Sequence, residues 1–165
     1  MTIEKRFVEE KIKELDAKQM LRTELEAAGY SGAQIKRTPM GTHVIINALR
    51  PGLVIGSGGE NVDKLTKKLT ALGMENPHIE VQTIEHPDLD AKIVAWRIGK
   101  LLERGFYFKS VAMRTMEQVM RAGARGVEIR ITGKCPAARA RSWAFKQGYV
   151  RHCGETAKED VLYGK

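Results

Sequence analysis

Residues 51–62 combine a proline that suits a helix start with three closely spaced glycines, Gly56, Gly58 and Gly59. Pro51 fits the first position of a helix, because its missing N–H would have no partner there in any case. The glycines let the backbone turn tightly and leave no side chain to block a ligand. Apolar residues then recur at helical spacing, at Val62, Leu65, Leu69 and Leu72, which predicts a helix directly after the loop. Its free N–H groups would point into the loop, an arrangement that suits a phosphate group.

Two other glycine-loop chemistries fit this segment less well. A dinucleotide-binding loop requires a preceding strand and a third glycine where Asn61 stands, and a P-loop requires a Gly-Lys-Ser/Thr ending that is absent. Residues 54–62 resemble instead the K-homology (KH) RNA-binding motif, Val-Ile-Gly-x-x-Gly-x-x-Ile, with Val62 at the last position. In KH modules the GxxG loop clamps the backbone of about four nucleotides. A glycine-rich turn between two helices, without a ligand, is the structural alternative.

The variable positions of this loop, Ser57 and Gly58, carry no charge, although many KH loops have a lysine or arginine there. We therefore expect the loop to bind single-stranded RNA weakly. The predicted RNA-binding residues of the loop are Gly56, Ser57, Gly58 and Gly59.

The elements around the loop follow a recognisable order. A helix is predicted from residue 2 to about 28, ending at Gly29, with an apolar stripe of Val8, Ile12, Leu15, Leu21 and Leu25. Strands are predicted at 33–38, 42–49 and 78–84, with a turn at 39–41 and the helix after the glycines ending at Gly73. The resulting order of helix, strand, strand, helix, loop, helix, strand is that of a type II KH domain.

A second unit is predicted after a boundary at 85–88, where Pro87 interrupts the structure and Asp88 can cap the next helix. That helix has a broad apolar stripe of Leu89, Ile93, Val94, Ile98, Leu101 and Leu102. A further helix is predicted from Lys109 to about Ala122, with Ala112, Met116 and Val119 facing inward. Residues 127–132 then alternate between apolar and polar, as in a half-buried strand.

The remaining segment is the most basic part of the chain. Lysines and arginines at 134, 139, 141, 146 and 151 are interleaved with Trp143, Phe145 and Tyr149. Cations with aromatic side chains suit phosphate contact and base stacking. A hairpin with its aromatics packed inward is the alternative, and because strand side chains alternate between faces, we expect both in part.

Composition narrows the function classes. The 165 residues are 42% hydrophobic, which permits a folded core, and the net charge of +8 favours a polyanionic partner, nucleic acid before membrane. No long apolar run could span a membrane, and the N-terminus predicts an amphipathic helix and not a signal segment, so we expect a cytosolic location. Cys135, His152 and Cys153 do not have the spacing of a zinc site, so no metal, cofactor or disulfide is predicted.

Four segments together resemble small-subunit ribosomal protein three of the archaeal type over essentially the whole chain: residues 54–62, 103–109, 120–126 and 131–141. The last two carry Gly-Ala-Arg-Gly, an alternating strand, then Gly-Lys and an arginine-rich stretch. The resemblance implies an α/β (α+β) fold. Residues 1–85 would form a type II KH domain, and residues 86–165 would form two helices packed on an antiparallel sheet.

The resemblance also implies a function. Such proteins are structural constituents of the head of the small ribosomal subunit, bind its rRNA, help to line the channel through which mRNA enters, and contact neighbouring proteins of the ten and fourteen families. No catalytic residues are required or predicted. The cations predicted to bind RNA are Arg97, Lys100, Arg104, Lys109, Arg114, Arg121, Arg125, Arg130, Lys134, Arg139 and Arg141.

The chain departs from the family at two places. The family's adjacent basic pair, which faces mRNA, corresponds here to Lys109 and Ser110, so one charge is missing, and Arg114 can substitute for it in part. The sequence also stops at Lys165, where relatives continue with a linker and an apolar strand. We therefore expect the C-terminal sheet to lack its last strand and to have an unpaired edge.

Two other functions remain as alternatives. Some eukaryotic relatives are described as cleaving damaged DNA through a lysine, which would require a lysine of depressed pKa in a pocket. A free-standing KH regulator of RNA processing is the second alternative. The basic C-terminal unit favours a fixed rRNA site over both.

Overall fold

The computed structural model describes residues 3–38, 40–134 and 138–165. The chain divides into two compact units, residues 1–85 and 86–165, and each unit has a hydrophobic core of its own. Within the described residues, no helix combines the length and the apolar character needed to cross a membrane.

The first unit has the predicted order of elements. It consists of α1 (Ile3–Glu24), a 3₁₀ turn (Glu26–Ala28), β1 (Tyr30–Thr38), β2 (Gly41–Ala48), α2 (Pro51–Ile55), a 3₁₀ turn (Ser57–Gly59), α3 (Glu60–Ala71) and β3 (His78–Thr83). The sheet has the order β1-β2-β3, with β1 antiparallel and β3 parallel to β2. Strand β1 begins three residues before its predicted start, and the predicted turn at 39–41 includes Pro39, which lies outside the described residues.

The core of the first unit lies between the sheet and its helices. Alternate residues of β2, namely Thr42, Val44, Ile46 and Ala48, are buried. They share this core with Val54 of α2, with Leu65 and Leu69 of α3, and with three residues of α1, namely Ala17, Leu21 and Leu25. Because α2 and α3 are both anchored in this core, the glycine loop between them is held in a fixed position.

The single apolar stripe predicted along α1 is wrong. Leu21 and Leu25 are buried, but Val8, Ile12 and Leu15 are 58%, 51% and 64% exposed. An α-helix turns by about 100° per residue, so Ile12 and Leu21 lie on opposite sides of α1. The buried stripe is formed by Ala17, Leu21 and Leu25, and the N-terminal half of the helix presents a separate apolar face to solvent.

The second unit packs two helices on a hairpin. It contains α4 (Ala91–Glu103), α5 (Phe108–Arg121), β4 (Gly126–Gly133), β5 (Arg141–Gly148) and a short α6 (Thr156–Asp160) that the sequence did not predict. Strands β4 and β5 pair antiparallel. The core joins one face of this hairpin to the helices through Val94, Ile98, Phe108, Val111, Ala112, Met116, Val119, Ile129 and Ile131.

The cap predicted for α4 is also wrong. The helix begins after Asp90, whose Oδ1 accepts hydrogen bonds from the N–H groups of Lys92 (2.9 Å) and Ile93 (3.4 Å). Asp88 instead accepts a hydrogen bond of 2.6 Å from Arg97. Two aspartates two residues apart offer equivalent caps in sequence, and the arginine nine residues later decides between them. Leu89 precedes the helix and is 38% exposed.

Candidate nucleic-acid interface

The glycine loop has the backbone that its sequence predicts. Gly56, Gly58 and Gly59 have φ values of 75°, 62° and 87°, in the left-handed region that favours glycine. A Cβ atom at Gly56 would lie 2.7 Å from the side chain of Asn61, whereas Cβ atoms at Gly58 and Gly59 would meet nothing within 4 Å. One side of the loop is therefore closed against the protein, and the other is open to a ligand.

Asn61 fixes the shape of the loop from the closed side. Its Nδ2 donates a hydrogen bond of 3.1 Å to the carbonyl oxygen of Leu53, which joins the first turn of α3 to α2. The sequence analysis gave this residue no role, although short amide side chains commonly bond to nearby backbone in this way.

The loop itself contributes backbone donors and no positive charge. Helix α3 starts at Glu60, and no side chain caps its N-terminus. Glu60 pairs with Lys64 at 3.0 Å on the exposed surface, and Ser57 is exposed. Phosphate binding at this loop would therefore depend on N–H groups and the helix dipole alone.

Four of the predicted cations are engaged within the second unit. Arg97 pairs with Asp88 at 2.6 Å, Arg121 with Glu117 at 3.8 Å, and Arg130 with Glu128 at 3.1 Å. The Nζ of Lys100 lies 4.8 Å from the centre of the Trp96 ring. Arg97 is the most strongly held of the arginines, because its side chain is only 32% exposed. These four residues are less available to RNA than their charge suggests.

The other seven predicted cations are exposed, and no carboxylate of the described residues lies within ion-pairing distance of them. They are Arg104, Lys109, Arg114, Arg125, Lys134, Arg139 and Arg141. Arg104 caps the end of α4, while Lys109 and Arg114 lie on the exposed side of α5. The last three flank the connection between β4 and β5. The glycine loop belongs to the other unit.

The aromatic residues of β5 are core residues. The ring of Phe108 lies 4.6 Å from that of Trp143 and 6.3 Å from that of Phe145, centre to centre. This packing confirms the inward-facing alternative for Trp143 and Phe145, which are therefore not available to stack on bases. Tyr149 lies beyond the strand and is 72% exposed.

The open face of the hairpin carries a carboxylate surrounded by cations. Glu128 lies 3.1 Å from Arg130, 3.2 Å from Lys146 and 3.4 Å from His152, and its side chain is 14% exposed. Partial burial alone would raise the pKa of Glu128, but the hydrogen bond and charge of Lys146, assisted by Arg130 and His152, outweigh it and lower the pKa below its usual range. Sequence reasoning did not identify this cluster.

Within the described residues, no group of three or more His, Cys, Asp or Glu side chains is placed to hold a metal ion. Cys135, one of the residues considered for zinc, lies outside the described residues. Cys153 is an exposed free thiol.

Comparison with known proteins gives matches for both units. The family model for the KH domain matches residues 16–89, and that for the C-terminal domain of ribosomal protein S3 matches residues 98–165. Small ribosomal subunit protein uS3 of Methanocorpusculum labreanum is 46% identical over 165 residues, covering 99% of this chain and 71% of the relative. The uS3 proteins of Methanocaldococcus jannaschii and Archaeoglobus fulgidus are 44% and 42% identical over 99% of this chain, which covers 79% and 72% of their lengths.

The Glu128 cluster predicts a pH dependence of stability. A carboxyl whose pKa is lowered by folding stabilises the native state above its unfolded pKa of about 4.3, and this contribution is lost as the pH falls through the lower folded value. We expect Glu128→Gln to lower the melting temperature at pH 7 and to flatten its decline below about pH 5. Thermal melts between about pH 7 and pH 3 measure both effects. Glu155→Gln, an exposed control in the same unit, should follow the wild-type curve, and parallel curves for all three proteins would contradict the prediction.

Proposed function

We propose that this chain, which belongs to the ribosomal protein S3 family, is a structural component of the small ribosomal subunit and binds the rRNA of that subunit. The observation that carries the proposal is the 46% identity to an archaeal uS3 protein over 99% of this chain. The net charge of +8 supports an RNA partner. The chain acts on the ribosome in the cytoplasm, and its role there is structural and not enzymatic.

Phosphate contacts supply most of the rRNA affinity in this proposal. An arginine or lysine without an internal carboxylate partner can exchange its counterions for RNA phosphates, which is a favourable step at low salt. The seven unpaired, exposed cations of the second unit meet this condition. Arg97 does not, because binding a phosphate would require it to give up Asp88 at 2.6 Å. We therefore place the main rRNA contact on Arg125, Lys134, Arg139 and Arg141, with Arg104.

The glycine loop is a second RNA contact in this proposal. Its open side, formed by Gly58 and Gly59, accepts the close approach of a phosphate to the backbone. Because Ser57 and Gly58 add no charge, the loop alone binds single-stranded RNA weakly and binds more tightly where rRNA or a neighbouring protein fixes the geometry. The loop also has limited tolerance to substitution, because Gly58 has a φ of 62° that any other residue adopts with strain.

The start of α5 faces incoming mRNA in this proposal. Lys109 and Arg114 are exposed and unpaired among the described residues. Arg114 follows Ser110 by four residues, so it lies on the same helix face about 6 Å further along the axis. This position lets Arg114 replace in part the charge that Ser110 lacks.

The outer face of α1 is the proposed contact with neighbouring proteins of the ten and fourteen families. Phe7, Val8, Ile12 and Leu15 are all more than half exposed and form one apolar face. A contiguous apolar face on a soluble domain marks a contact with another protein more often than a contact with RNA.

Charge removal tests the rRNA contact. The variant Arg139→Ala with Arg141→Ala should weaken binding to small-subunit rRNA and reduce the slope of log affinity against log salt by about two units, since two phosphate contacts are lost. Filter binding over a series of salt concentrations gives the slope. Ser57→Asp, measured in the same series, adds repulsion at the glycine loop and reports the share of that loop.

The matched control removes two arginines that already have carboxylate partners. Arg37 pairs with Glu10 at 2.9 Å and Arg151 with Asp160 at 3.4 Å, so the variant Arg37→Ala with Arg151→Ala changes the net charge equally and should change the slope little. Equal slopes for the test and control variants would refute the assignment. Sedimentation of the endogenous protein apart from small subunits in high salt would favour the free KH regulator.

A translation assay tests the mRNA contact. Replacing Lys109 and Arg114 with alanine should slow a reconstituted ribosome several-fold on an mRNA with a hairpin, because less positive charge holds the unwound strand. An unstructured mRNA of equal length should be translated at the wild-type rate, and the variant should enter subunits normally. A defect in subunit assembly with normal handling of structured mRNA would reverse the assignment and place both residues on rRNA.

Polar substitution tests the protein contact. The variant Phe7→Ser with Leu15→Ser should lower the retention of purified ten-family or fourteen-family proteins in a pull-down assay. Its melting temperature should change little, because both side chains are 64% exposed. Met40, which is 90% exposed in the same unit, supplies the control Met40→Ser. Equal retention by the two variants would sink the proposal.

A further inference from the structure

The connection between α4 and α5 is a rigid turn. Gly105 has a φ of 85°, and its N–H donates to the carbonyl oxygen of Leu102 at 2.9 Å, while the N–H of Phe106 donates to that of Leu101 at 3.2 Å. This pair of hydrogen bonds is the Schellman motif, which closes the C-terminus of a helix. The next residue, Tyr107, already accepts the first hydrogen bond of α5, from the N–H of Val111 at 3.1 Å.

Two aromatic side chains project from this turn. Phe106 is 57% exposed and Tyr107 is 55% exposed. The ring of Tyr107 lies 4.9 Å from that of Phe108, centre to centre, and Phe108 is buried against Trp143. The turn therefore displays two large rings on a backbone that is already ordered, so little conformational entropy is lost when a ligand binds them.

Cations surround these rings. Arg104 precedes Phe106 by two residues and Lys109 follows Tyr107 by two, and neither has a carboxylate partner among the described residues. Phe108 also packs on the end of the hairpin from which Arg141 emerges, since Trp143 lies two residues after it. An apolar protein surface would meet unpaired positive charge here, whereas single-stranded RNA presents bases to the rings and phosphates to the cations.

We propose that Phe106 and Tyr107 form a stacking platform for the bases of single-stranded RNA, with Arg104 and Lys109 binding the adjacent phosphates. This inference rests on the proposed function, in which Lys109 faces mRNA. Stacking is tolerant of sequence, because every base has a π face, and a message of any sequence can therefore use the same platform. It also adds affinity next to Ser110, where the family's second charge is missing.

The rings also have a purely structural explanation, and leucine substitution separates the two. In a Schellman motif the residue at the position of Phe106 commonly packs on the residue at the position of Leu101. The variant Phe106→Leu with Tyr107→Leu keeps an apolar side chain at each position but has no π face. Tyr107→Leu alone supplies a second, milder variant in case the double variant is unstable.

The experiment measures the fluorescence anisotropy of a labelled oligoadenylate of about 12 nucleotides, long enough for one binding site, and of an RNA duplex of equal length. The probes are titrated with the full chain. We expect the double leucine variant to bind the single strand about tenfold more weakly, with wild-type affinity for the duplex and an unchanged salt slope, because no charge is lost. The variant Phe106→Tyr with Tyr107→Phe keeps both rings and should restore the affinity. Tyr163→Leu removes an exposed ring elsewhere in the unit and should have no effect.

Several results would overturn the inference: wild-type affinity of the leucine variant for the single strand, an equal loss on the duplex, or no measurable binding of the oligoadenylate by the wild-type chain. Normal RNA affinity with poor incorporation into small subunits would identify the rings as a protein contact and also overturn it. The variant Lys109→Ala with Arg114→Ala distinguishes this from failure of the mRNA proposal. If that variant keeps full affinity and salt slope while the leucine variant loses affinity, the two cations are wrongly assigned and the platform stands.

Discussion

The packing of Phe108 against Trp143 and Phe145 is the contact on which the arrangement of the second unit depends. Ring centres 4.6 Å and 6.3 Å apart hold the first turn of α5 on one face of the β4–β5 hairpin. The exposed residues on either side of Phe108, Tyr107 and Lys109, are positioned by this buried ring. Loss of the aromatic contact would therefore disturb the RNA-facing residues before it removed any of their charges.

The distribution of carboxylates decides which cations remain available to RNA. Glu128 neutralises the open face of the hairpin, since it lies within 3.4 Å of Arg130, Lys146 and His152. The loops at the ends of the strands have no such counter-ion among the described residues, and the cations there repel one another until a polyanion arrives. The charge of the unit is thus directed to its turns and away from the sheet face, and the same is true of Arg97, which Asp88 holds against α4.

The order of elements in the first unit could be predicted because each element has a strong local signal. The glycine loop is the clearest case, since the three positive φ values at Gly56, Gly58 and Gly59 follow from residue type. The face that α1 buries could not be predicted, because that helix has two apolar faces and only the fold decides which one meets the sheet. Ion pairing was invisible for the same reason, since Glu128 and His152 lie 24 residues apart in sequence and meet only through the hairpin. The exposure of Phe106 and Tyr107 depends on how the turn closes, which composition does not reveal.

A neutral glycine loop becomes useful when a second contact on the same chain holds the RNA. The loop offers backbone donors on its open side but no charge, so its affinity for a free strand is low and changes little with salt. Once the cations of the other unit bind the same large RNA, the loop meets its phosphate at the effective concentration set by the connection between the units, and no new contact is needed to strengthen it. Such a loop contributes affinity only where the RNA is already folded into the right shape. A lysine at Ser57 or Gly58 would raise affinity for every RNA, whereas neutral donors favour a partner of fixed geometry, as rRNA within a subunit is.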